Sequence, residues 1–408
     1  MNAPHGANEL SNQRLLSRLA LPPAPRGAGL EGIKTWTQPE PPVPVMRVQD
    51  RAAIAESVLS RRAEAIPGVD RGHVSKLVCE GRNGLEKLAS EGASAQLSFT
   101  EMLGLEAIIE ADGSRPALFV QDGTINLAAP DLASELGRPW QRAAQDCLQG
   151  IERVAASVGV IELPDFENMR IGTGFAIAPG VIVTNRHVLE AIARFRDGAW
   201  SWKYRARIDF RAEFQREGAL AFDLDSVLMY GPDPIDDRVD FANLDVAVIR
   251  LKENAAAFPP GLDVGDSVDA VKVTQYRTPH IYVMGFPARP TVLTGTPLGA
   301  PPPAAGTEYD AVLSALFKDE FAVKRWAPGY VEAGAGQLID DARKWVMSHD
   351  ASTLGGNSGS CVVDLSGNGA LVVGLHFGGR ARVENWAHVL AAVRERFEGI
   401  DVQWKRAG

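Results

Sequence analysis

Three short segments of the sequence carry the residue types needed to turn a hydroxyl group into a nucleophile. His187 follows the apolar run 181–183, Asp245 precedes an apolar run, and Ser358 lies in the glycine-rich stretch GGNSGS. A serine hydroxyl is a poor nucleophile at its own pKa, and it needs a base within hydrogen-bond reach that is oriented by an acid. The residue types predict that Ser358 attacks, His187 takes the proton and Asp245 orients the histidine.

The glycines beside Ser358 matter because they let the backbone turn sharply. A sharp turn allows the amides of Gly356 and Ser358 to point at one developing oxyanion. Each segment alone has an ordinary explanation, as a core histidine, a turn-forming aspartate or a glycine turn. Their joint occurrence favours a catalytic triad with Gly356 and Ser358 as oxyanion donors. The alternative left open is a catalytically silent module of the same fold that binds peptides or serves as an adaptor.

The order His, Asp, Ser, in the segments TNRH, DVAVI and GNSGS, resembles the chymotrypsin-like serine peptidases. The resemblance covers about residues 151–400 and implies a mainly β fold, a double antiparallel β-barrel. It also implies a serine endopeptidase that hydrolyses protein or peptide substrates through an acyl-enzyme on Ser358. A Gly-x-Ser-x-Gly motif occurs in α/β-hydrolases as well, but those enzymes place their histidine last in the chain.

Residue 357 separates this chain from the trypsin-like zymogens, which carry an aspartate directly before the nucleophile. Asn357 is uncharged and cannot form the ion pair with a new N-terminus that activates those zymogens. The sequence is instead similar to the bacterial Trypsin-2 and glutamyl endopeptidase-like branch. The similarity lies in the GNSG motif and in the segment 324–329, KRWAPG.

Glutamyl endopeptidases recognise an acidic side chain with the histidine of a Gly-x-His motif and a Thr or Ser five residues before the nucleophile. The matching residues here are His376 and Thr353. Both side chains can donate to a carboxylate, and a protonated histidine adds charge, so the resemblance implies cleavage after Glu or Asp. The other interpretation, in which His376 only satisfies a hydrogen bond in the core, stays open.

Gly378 and Gly379 are expected to leave a strand edge open to the substrate backbone. His349 is expected to be a loop histidine with its hydrogen bonds satisfied.

The elements around these segments are predicted to be short antiparallel strands. Apolar runs separated by Gly, Pro, Asn and Asp begin after Val158 and are typical of a barrel or sandwich. The pattern VENWAHVLAAVRERF predicts a C-terminal helix over 383–397. The insert 288–318, with three consecutive prolines, is expected to form a mobile surface loop that shields the cleft.

The chain before residue 151 is expected to form two regions ahead of a protease domain over 151–408. Seven prolines within residues 20–45 favour an extended, disordered tether over residues 1–45. Residues 46–150 are predicted to form a small α+β unit that regulates the protease or binds a regulatory protein, because an unrestrained cytoplasmic endopeptidase would be toxic. Its predicted elements are helices over 46–65, on to about 95 and over 131–156, and a hairpin around 111–114.

The amino-acid composition and net charge limit the classes of protein to which the chain can belong. The chain has 408 residues, of which 45% are hydrophobic and 23% charged, as in ordinary globular proteins. A net charge of −9 without a Lys/Arg cluster argues against a nucleic-acid partner. No apolar run reaches the roughly 18 residues of a membrane span, and arginines interrupt the apolar patch of the N-terminus, so neither a membrane anchor nor a secretory signal is expected. The three cysteines are few and widely separated, which favours the reducing cytoplasm. Neither the cysteines nor the seven histidines form a cluster of metal ligands, so no metal or other cofactor is expected.

Overall fold

The computed structural model describes six stretches of the chain. These are residues 47–64, 71–236, 239–287, 321–353, 357–380 and 384–407. The predicted tether 1–45 and the predicted mobile insert 288–318 lie outside them. Gly356, one of the two predicted oxyanion donors, also lies outside the described residues.

Three helices open the described chain and surround a hydrophobic core of their own. They are α1 (Val48–Glu64), α2 (Arg71–Glu91) and α3 (Phe99–Ala111). α2 and α3 touch at two glycines, where a Cβ on Gly81 would stand 2.4 Å from the carbonyl oxygen of Gly104. Ser98 caps α3, because its hydroxyl accepts from the Glu101 N–H while the Glu101 carboxylate accepts from the Ser98 N–H. α1 and α2 confirm the helices predicted over 46–65 and on to about 95.

The hairpin predicted around 111–114 is wrong. Its first arm, residues 105–110, is the end of α3, where the apolar side chains pack against the other two helices. Short apolar runs do not distinguish a buried helix from a strand, which is why the pattern misled. The second arm does form a strand, β1 (Leu118–Gln121), but it pairs with β2 (Thr124–Ile125). Three short helices follow and confirm the helical prediction for 131–156: α4 (Pro130–Ala133), α5 (Arg138–Asp146) and α6 (Leu148–Ser157).

A first closed barrel of six antiparallel strands follows α6. Its strands are β3 (Val158–Leu163), β4 (Met169–Ala178), β5 (Val181–Thr184), β8 (Arg207–Asp209), β9 (Ala221–Tyr230) and β10 (Ala247–Leu251). They close in the order β10-β5-β4-β3-β8-β9. Between β5 and β8 lie α7 (Arg186–Ile192) and a separate hairpin of β6 (Ala193–Arg196) and β7 (Ala199–Trp202).

A second ring of six antiparallel strands forms the C-terminal half. Its strands are β12 (His280–Gly285), β13 (Arg325–Ala333), β14 (Val346–His349), β15 (Cys361–Asp364), β16 (Leu371–Arg380) and β17 (Glu384–Val389). They run in the order β12-β15-β16-β17-β14-β13, and pairing of β13 with β12 closes the ring. The short strands β11 (Val264–Gly265) and β18 (Trp404–Lys405) pair beside β16. The predicted double antiparallel β-barrel is confirmed.

The C-terminal helix predicted over 383–397 is wrong. Residues 384–389 form β17, which pairs with β14 on one side and β16 on the other. Residues 390–397 form 3₁₀ turns that break at Val393, whose φ is −118°. The apolar residues of β17 are buried between the neighbouring strands β14 and β16, and such tertiary pairing overrides a local helical pattern.

The N-terminal part of the chain packs directly on the second barrel. β1 pairs with β13, with Leu118 opposite Trp326 and Phe119 opposite Arg325. Side chains of α4–α6 belong to the same hydrophobic core as those of both barrels. The fully buried Lys324 joins these parts, because its Nζ donates to the carbonyl oxygens of Ala155 in α6 and Phe210 beyond β8 at 2.6 and 2.8 Å.

Candidate active site

His187 and Asp245 are brought together by two neighbouring strands of the first barrel. His187 follows β5, Asp245 precedes β10, and these strands pair with Ala247 opposite Thr184. The His187 Nδ1 lies 2.6 Å from Asp245 Oδ2, and the His187 backbone N–H donates to Asp245 Oδ1 at 2.9 Å. The His187 side chain is 34% exposed and that of Asp245 is 5% exposed. The imidazole is therefore accessible, and both oxygens of the buried carboxylate are held by the same histidine.

The backbone of Asp245 is held by hydrogen bonds to two residues whose roles were not predicted from the sequence. Its backbone N–H donates to His388 Nε2 at 3.0 Å, and its carbonyl oxygen accepts from Asn185 Nδ2 at 2.9 Å. His388 comes from β17 of the second barrel and stacks on Phe377, with ring centres 4.4 Å apart. Since Nε2 accepts, neutral His388 carries its proton on Nδ1. Burial lowers the pKa of His388 to about 4, although the nearby Asp245 acts to raise it.

We expect His388→Gln to remove part of the acid sensitivity of the fold. The His388 pKa of about 4 lies below the value of 6.5 for a free histidine, so between these pH values the unfolded chain binds a proton that the folded chain does not. The free energy of unfolding therefore falls as the pH falls through this window, by on the order of 2 kcal/mol at pH 5. Glutamine does not titrate, and its Oε1 can still accept from the Asp245 N–H.

Urea unfolding at pH 7 and pH 5 measures this effect. The wild-type protein should lose about 2 kcal/mol more than His388→Gln between the two pH values. Equal losses in the two proteins would show that His388 does not contribute to the acid sensitivity.

The loop around Ser358 makes a sharp turn at Gly359. The φ of Gly359 is +88°, and a Cβ at this position would stand 1.9 Å from the carbonyl oxygen of Thr173. The Gly359 N–H donates to the His376 carbonyl oxygen at 2.9 Å, and the Thr173 N–H donates to the Ser358 carbonyl oxygen at 2.8 Å. Only glycine fits this conformation without strain. The loop is thus held between β4 and β16.

The Ser358 loop and the helix of His187 meet at the same stretch of β4. A Cβ on Gly172 would stand 2.8 Å from a methyl group of Val188, which is the neighbour of His187, and 3.2 Å from the Ser358 carbonyl oxygen. One residue on, the Thr173 carbonyl oxygen accepts from the Thr184 hydroxyl at 2.7 Å. Across the described residues, the hydrogen bonds of His187 go to Asp245, and none joins its ring to the Ser358 hydroxyl.

His376 is buried beside a second histidine. His376 lies in β16 with 3% exposure, and its Nδ1 is 3.3 Å from Nε2 of His349. Burial, together with the neighbouring His349 and His187, holds the pKa of His376 well below its usual value. His376 is therefore neutral near pH 7, and it offers a hydrogen bond rather than the positive charge that the sequence suggested. The expectation that His349 lies in a loop is wrong, since it is the buried last residue of β14.

Thr353 and the two glycines lie near the end of β16. The Thr353 hydroxyl donates to Oδ1 of Asn385, a β17 residue not anticipated from the sequence, at 2.5 Å. Gly378 and Gly379 pair with β17, whereas the register of β15 with β16 ends at Leu375. A Cβ on Gly378 would have no heavy atom within 4 Å. The His376 backbone still bonds to Ser360 and Gly359 on the β15 side, so the edge of β16 at Gly378 and Gly379 is where the sequence places the substrate backbone.

Other chemistry is sparse in the described part of the chain. There, no group of three or more His, Cys, Asp or Glu side chains is arranged to hold a metal ion. None of the described helices has the length and apolar character needed to span a membrane. Cys79 is exposed, Cys147 and Cys361 are buried, and all three are free thiols.

Comparisons with known proteins relate the chain to peptidases. It is 29% identical over 411 residues to a probable serine protease of Lysobacter enzymogenes, covering 96% of this chain and 98% of the relative. The active form of the Rv3671c protease from M. tuberculosis shows 17% identity and a TM-score of 0.36, over 65% of this chain and 89% of that one. An inactive form of Rv3671c also shows 17% identity and a TM-score of 0.36, over 64% and 96% of the two chains.

The family comparison covers the segments that hold His187, Asp245 and Ser358. The sequence model of the trypsin-like peptidase domain matches residues 172–375, which is half of the 408 residues. This stretch runs from β4 through most of the second barrel and includes the predicted catalytic residues. The chain therefore belongs to the trypsin-like serine peptidases, which are hydrolases that act on peptide substrates.

Proposed function

We propose that the protein is a cytoplasmic serine endopeptidase with Ser358 as nucleophile, His187 as general base and Asp245 as the acid that orients His187. The observation that carries the proposal is the double hydrogen bond of Asp245 to the side chain and backbone of the accessible His187. A carboxylate that accepts from Nδ1 keeps the proton on that nitrogen and leaves Nε2 free to act as a base.

The reaction follows from these roles. Ser358 Oγ attacks the substrate carbonyl carbon while His187 Nε2 takes the hydroxyl proton. The resulting oxyanion is stabilised by the amides of Gly356 and Ser358. Collapse breaks the peptide bond, His187 returns the proton to the leaving amine, and an acyl-enzyme remains. Water then attacks the ester as His187 takes its proton, and His187 passes that proton to the leaving Ser358 Oγ, which releases the acid product and restores the free enzyme.

We further propose that the peptidase prefers Glu or Asp on the acyl side of the cut. Thr353 and His376 are the residues proposed to bind the acidic side chain, and Gly378 and Gly379 the backbone. If His349 donates from Nε2, His376 must accept on Nδ1 and carries its own proton on Nε2, ready to donate to a carboxylate. Thr353 would exchange its bond to Asn385 for one to the substrate.

Residues 46–150 are proposed to control this activity, through a regulatory protein or a signalling or defence pathway that cleaves a chosen target. The packing of β1 on β13 supports control from this part of the chain, because a change in the N-terminal region can reach the second barrel directly. The cytoplasmic location is supported by three free cysteines, of which two are buried and could not be paired without rearrangement.

The catalytic proposal is tested with a fluorophosphonate probe, which reacts with activated serines. The full chain should be labelled, and mass spectrometry of the digested protein should place the label on Ser358. A fully folded protein that resists the probe would contradict the proposal and favour a silent peptide-binding module of the same fold.

The substrate proposal is tested with a peptide library that varies the residue on the acyl side of the cut. Cleavage mainly after Glu or Asp is expected, and Thr353→Val should reduce it more than cleavage after other residues. Cleavage mainly after another residue type would leave the triad in place and contradict the acidic preference.

A further inference from the structure

Arg115 connects the N-terminal part of the chain to the segment that leads to Ser358. Arg115 lies between α3 and β1, and only 2% of its side chain is exposed. Its guanidinium forms an ion pair with Asp350 and lies 4.7 Å from the ring centre of Tyr330 and 5.7 Å from that of Trp140. Arginine suits such a site because its planar, permanently charged group both stacks on aromatic rings and pairs with carboxylates.

The contacts of Arg115 fix two positions of the pocket segment, by which we mean residues 349–353. Asp350 Oδ2 pairs with the guanidinium, while its Oδ1 accepts from the Tyr330 N–H at 2.7 Å. The Ser352 hydroxyl donates to the carbonyl oxygen of Arg115 at 2.8 Å. Both the side chain and the backbone of Arg115 therefore hold the pocket segment in place.

One end of the pocket segment contacts a residue proposed to recognise the substrate, and the other end is such a residue. His349, at its start, lies 3.3 Å from His376. Thr353, at its end, is itself a proposed recognition residue and donates to Asn385. A displacement of the pocket segment would therefore move Thr353 and change the contact of His349 with His376, so that both proposed donors to the substrate side chain are affected.

Arg115 is in turn tied to the first helix by fully buried polar side chains. Its neighbour Ser114 donates from the backbone N–H to Asp112 Oδ1 at 2.8 Å. Arg51 of α1 donates from Nε to Asp112 Oδ2 at 2.7 Å and from Nη2 to the Ser114 hydroxyl at 3.1 Å. Arg51, Asp112 and Ser114 each have 0% exposure. A continuous row of buried polar contacts thus links α1 to the pocket segment.

We propose that Arg115 is a positioning residue of the peptidase, which sets the place of the pocket segment and thereby the substrate preference. The proposal rests on the proposed function, since it concerns the pocket of that same site. It makes the N-terminal region a structural part of the pocket, and it gives a partner of that region a physical route to the substrate site. Misplacing binding groups by about 1 Å can lower a rate by about 10²-fold.

The test compares Arg115→Met with the wild-type full chain on two peptides, one with the preferred residue on the acyl side and one with the next best. We expect kcat/KM for the preferred peptide to fall by about 10²-fold, with KM rising. The ratio of kcat/KM between the two peptides should fall by about tenfold. The rate of fluorophosphonate labelling should change far less, because the probe carries no peptide side chain and Ser358 and His187 lie outside the pocket segment.

Two further variants and one control separate positioning from loss of stability. Arg115→Lys keeps the charge without the planar group, and Ser352→Ala removes one hydroxyl, so these two cover the case in which Arg115→Met fails to fold. Arg207→Gln breaks an ion pair with Glu162, 2.7 Å long, on the first barrel and should leave the peptide ratio unchanged. An unchanged ratio in all folded variants of Arg115 and Ser352 overturns the proposal. A wild-type protein that the probe does not label overturns the proposed function instead.

Discussion

Replacing Ser358 by alanine is expected to lower kcat for peptide cleavage by about 10⁶-fold. The change removes the nucleophile, so no acyl-enzyme forms, and only stabilisation of the oxyanion and binding of the substrate remain. The fold should be unaffected, because the described hydrogen bond of Ser358 is made by its carbonyl oxygen to the Thr173 N–H, and alanine keeps it.

The measurement is kcat on the best library peptide, together with the extent of fluorophosphonate labelling and the thermal unfolding midpoint. Ser366→Ala is a matched control, since this serine lies on the turn between β15 and β16, where its hydroxyl donates to Asp364. The control should keep full activity and labelling. Residual cleavage by Ser358→Ala within about a hundredfold of wild type would mean that another group supplies the nucleophile, because loss of any triad member costs far more than that.

The approach of His187 and Asp245 could be predicted from the sequence because each lies at the end of an apolar strand. The order of the three motifs resembled one fold, in which these strand ends are neighbours, and the pairing of β5 with β10 bears this out. The glycine after Ser358 was likewise predictable, since a sharp turn requires a conformation that only glycine adopts freely, and Gly359 has a φ of +88°.

The residues that support the site from β17 could not be predicted. His388 and Asn385 lie in a stretch whose apolar spacing indicates a helix, and nothing in the local pattern shows that strands cover it on both sides. Their roles also depend on partners far away in the chain, since His388 contacts Asp245 at a separation of 143 residues. The ion pair of Arg115 with Asp350 spans 235 residues and was hidden for the same reason.

The second large effect is expected for Asp245→Asn, which should lower kcat by about 10⁴-fold while the fold is kept. The reason lies in the two oxygens of Asp245. Oδ1 accepts from the His187 backbone N–H at 2.9 Å, and Oδ2 faces the His187 Nδ1 at 2.6 Å. Asparagine has a single acceptor oxygen, and the backbone N–H can only donate, so the oxygen must stay with the backbone and the NH₂ group must face Nδ1.

This change of partner moves the imidazole proton of His187 from Nδ1 to Nε2. With an NH₂ donor in front of it, Nδ1 must accept, and the proton of neutral His187 moves to Nε2. A protonated Nε2 cannot take the proton of Ser358, so both cleavage and fluorophosphonate labelling should slow. The backbone contacts of Asp245 to His388 and Asn185 are unchanged by the substitution, which is why the unfolding midpoint should stay close to that of the wild type.

Steady-state kinetics and labelling rates on Asp245→Asn measure this effect, with Asp240→Asn as the matched control. Asp240 lies five residues earlier in the same loop, is exposed, and only caps the backbone N–H of Ala242 at 2.8 Å, a contact that the Oδ1 of asparagine can also make. The control should retain wild-type kcat. A rate for Asp245→Asn within about tenfold of wild type would show that a different group orients His187, because a wrong tautomer at the base is expected to cost a thousand times more.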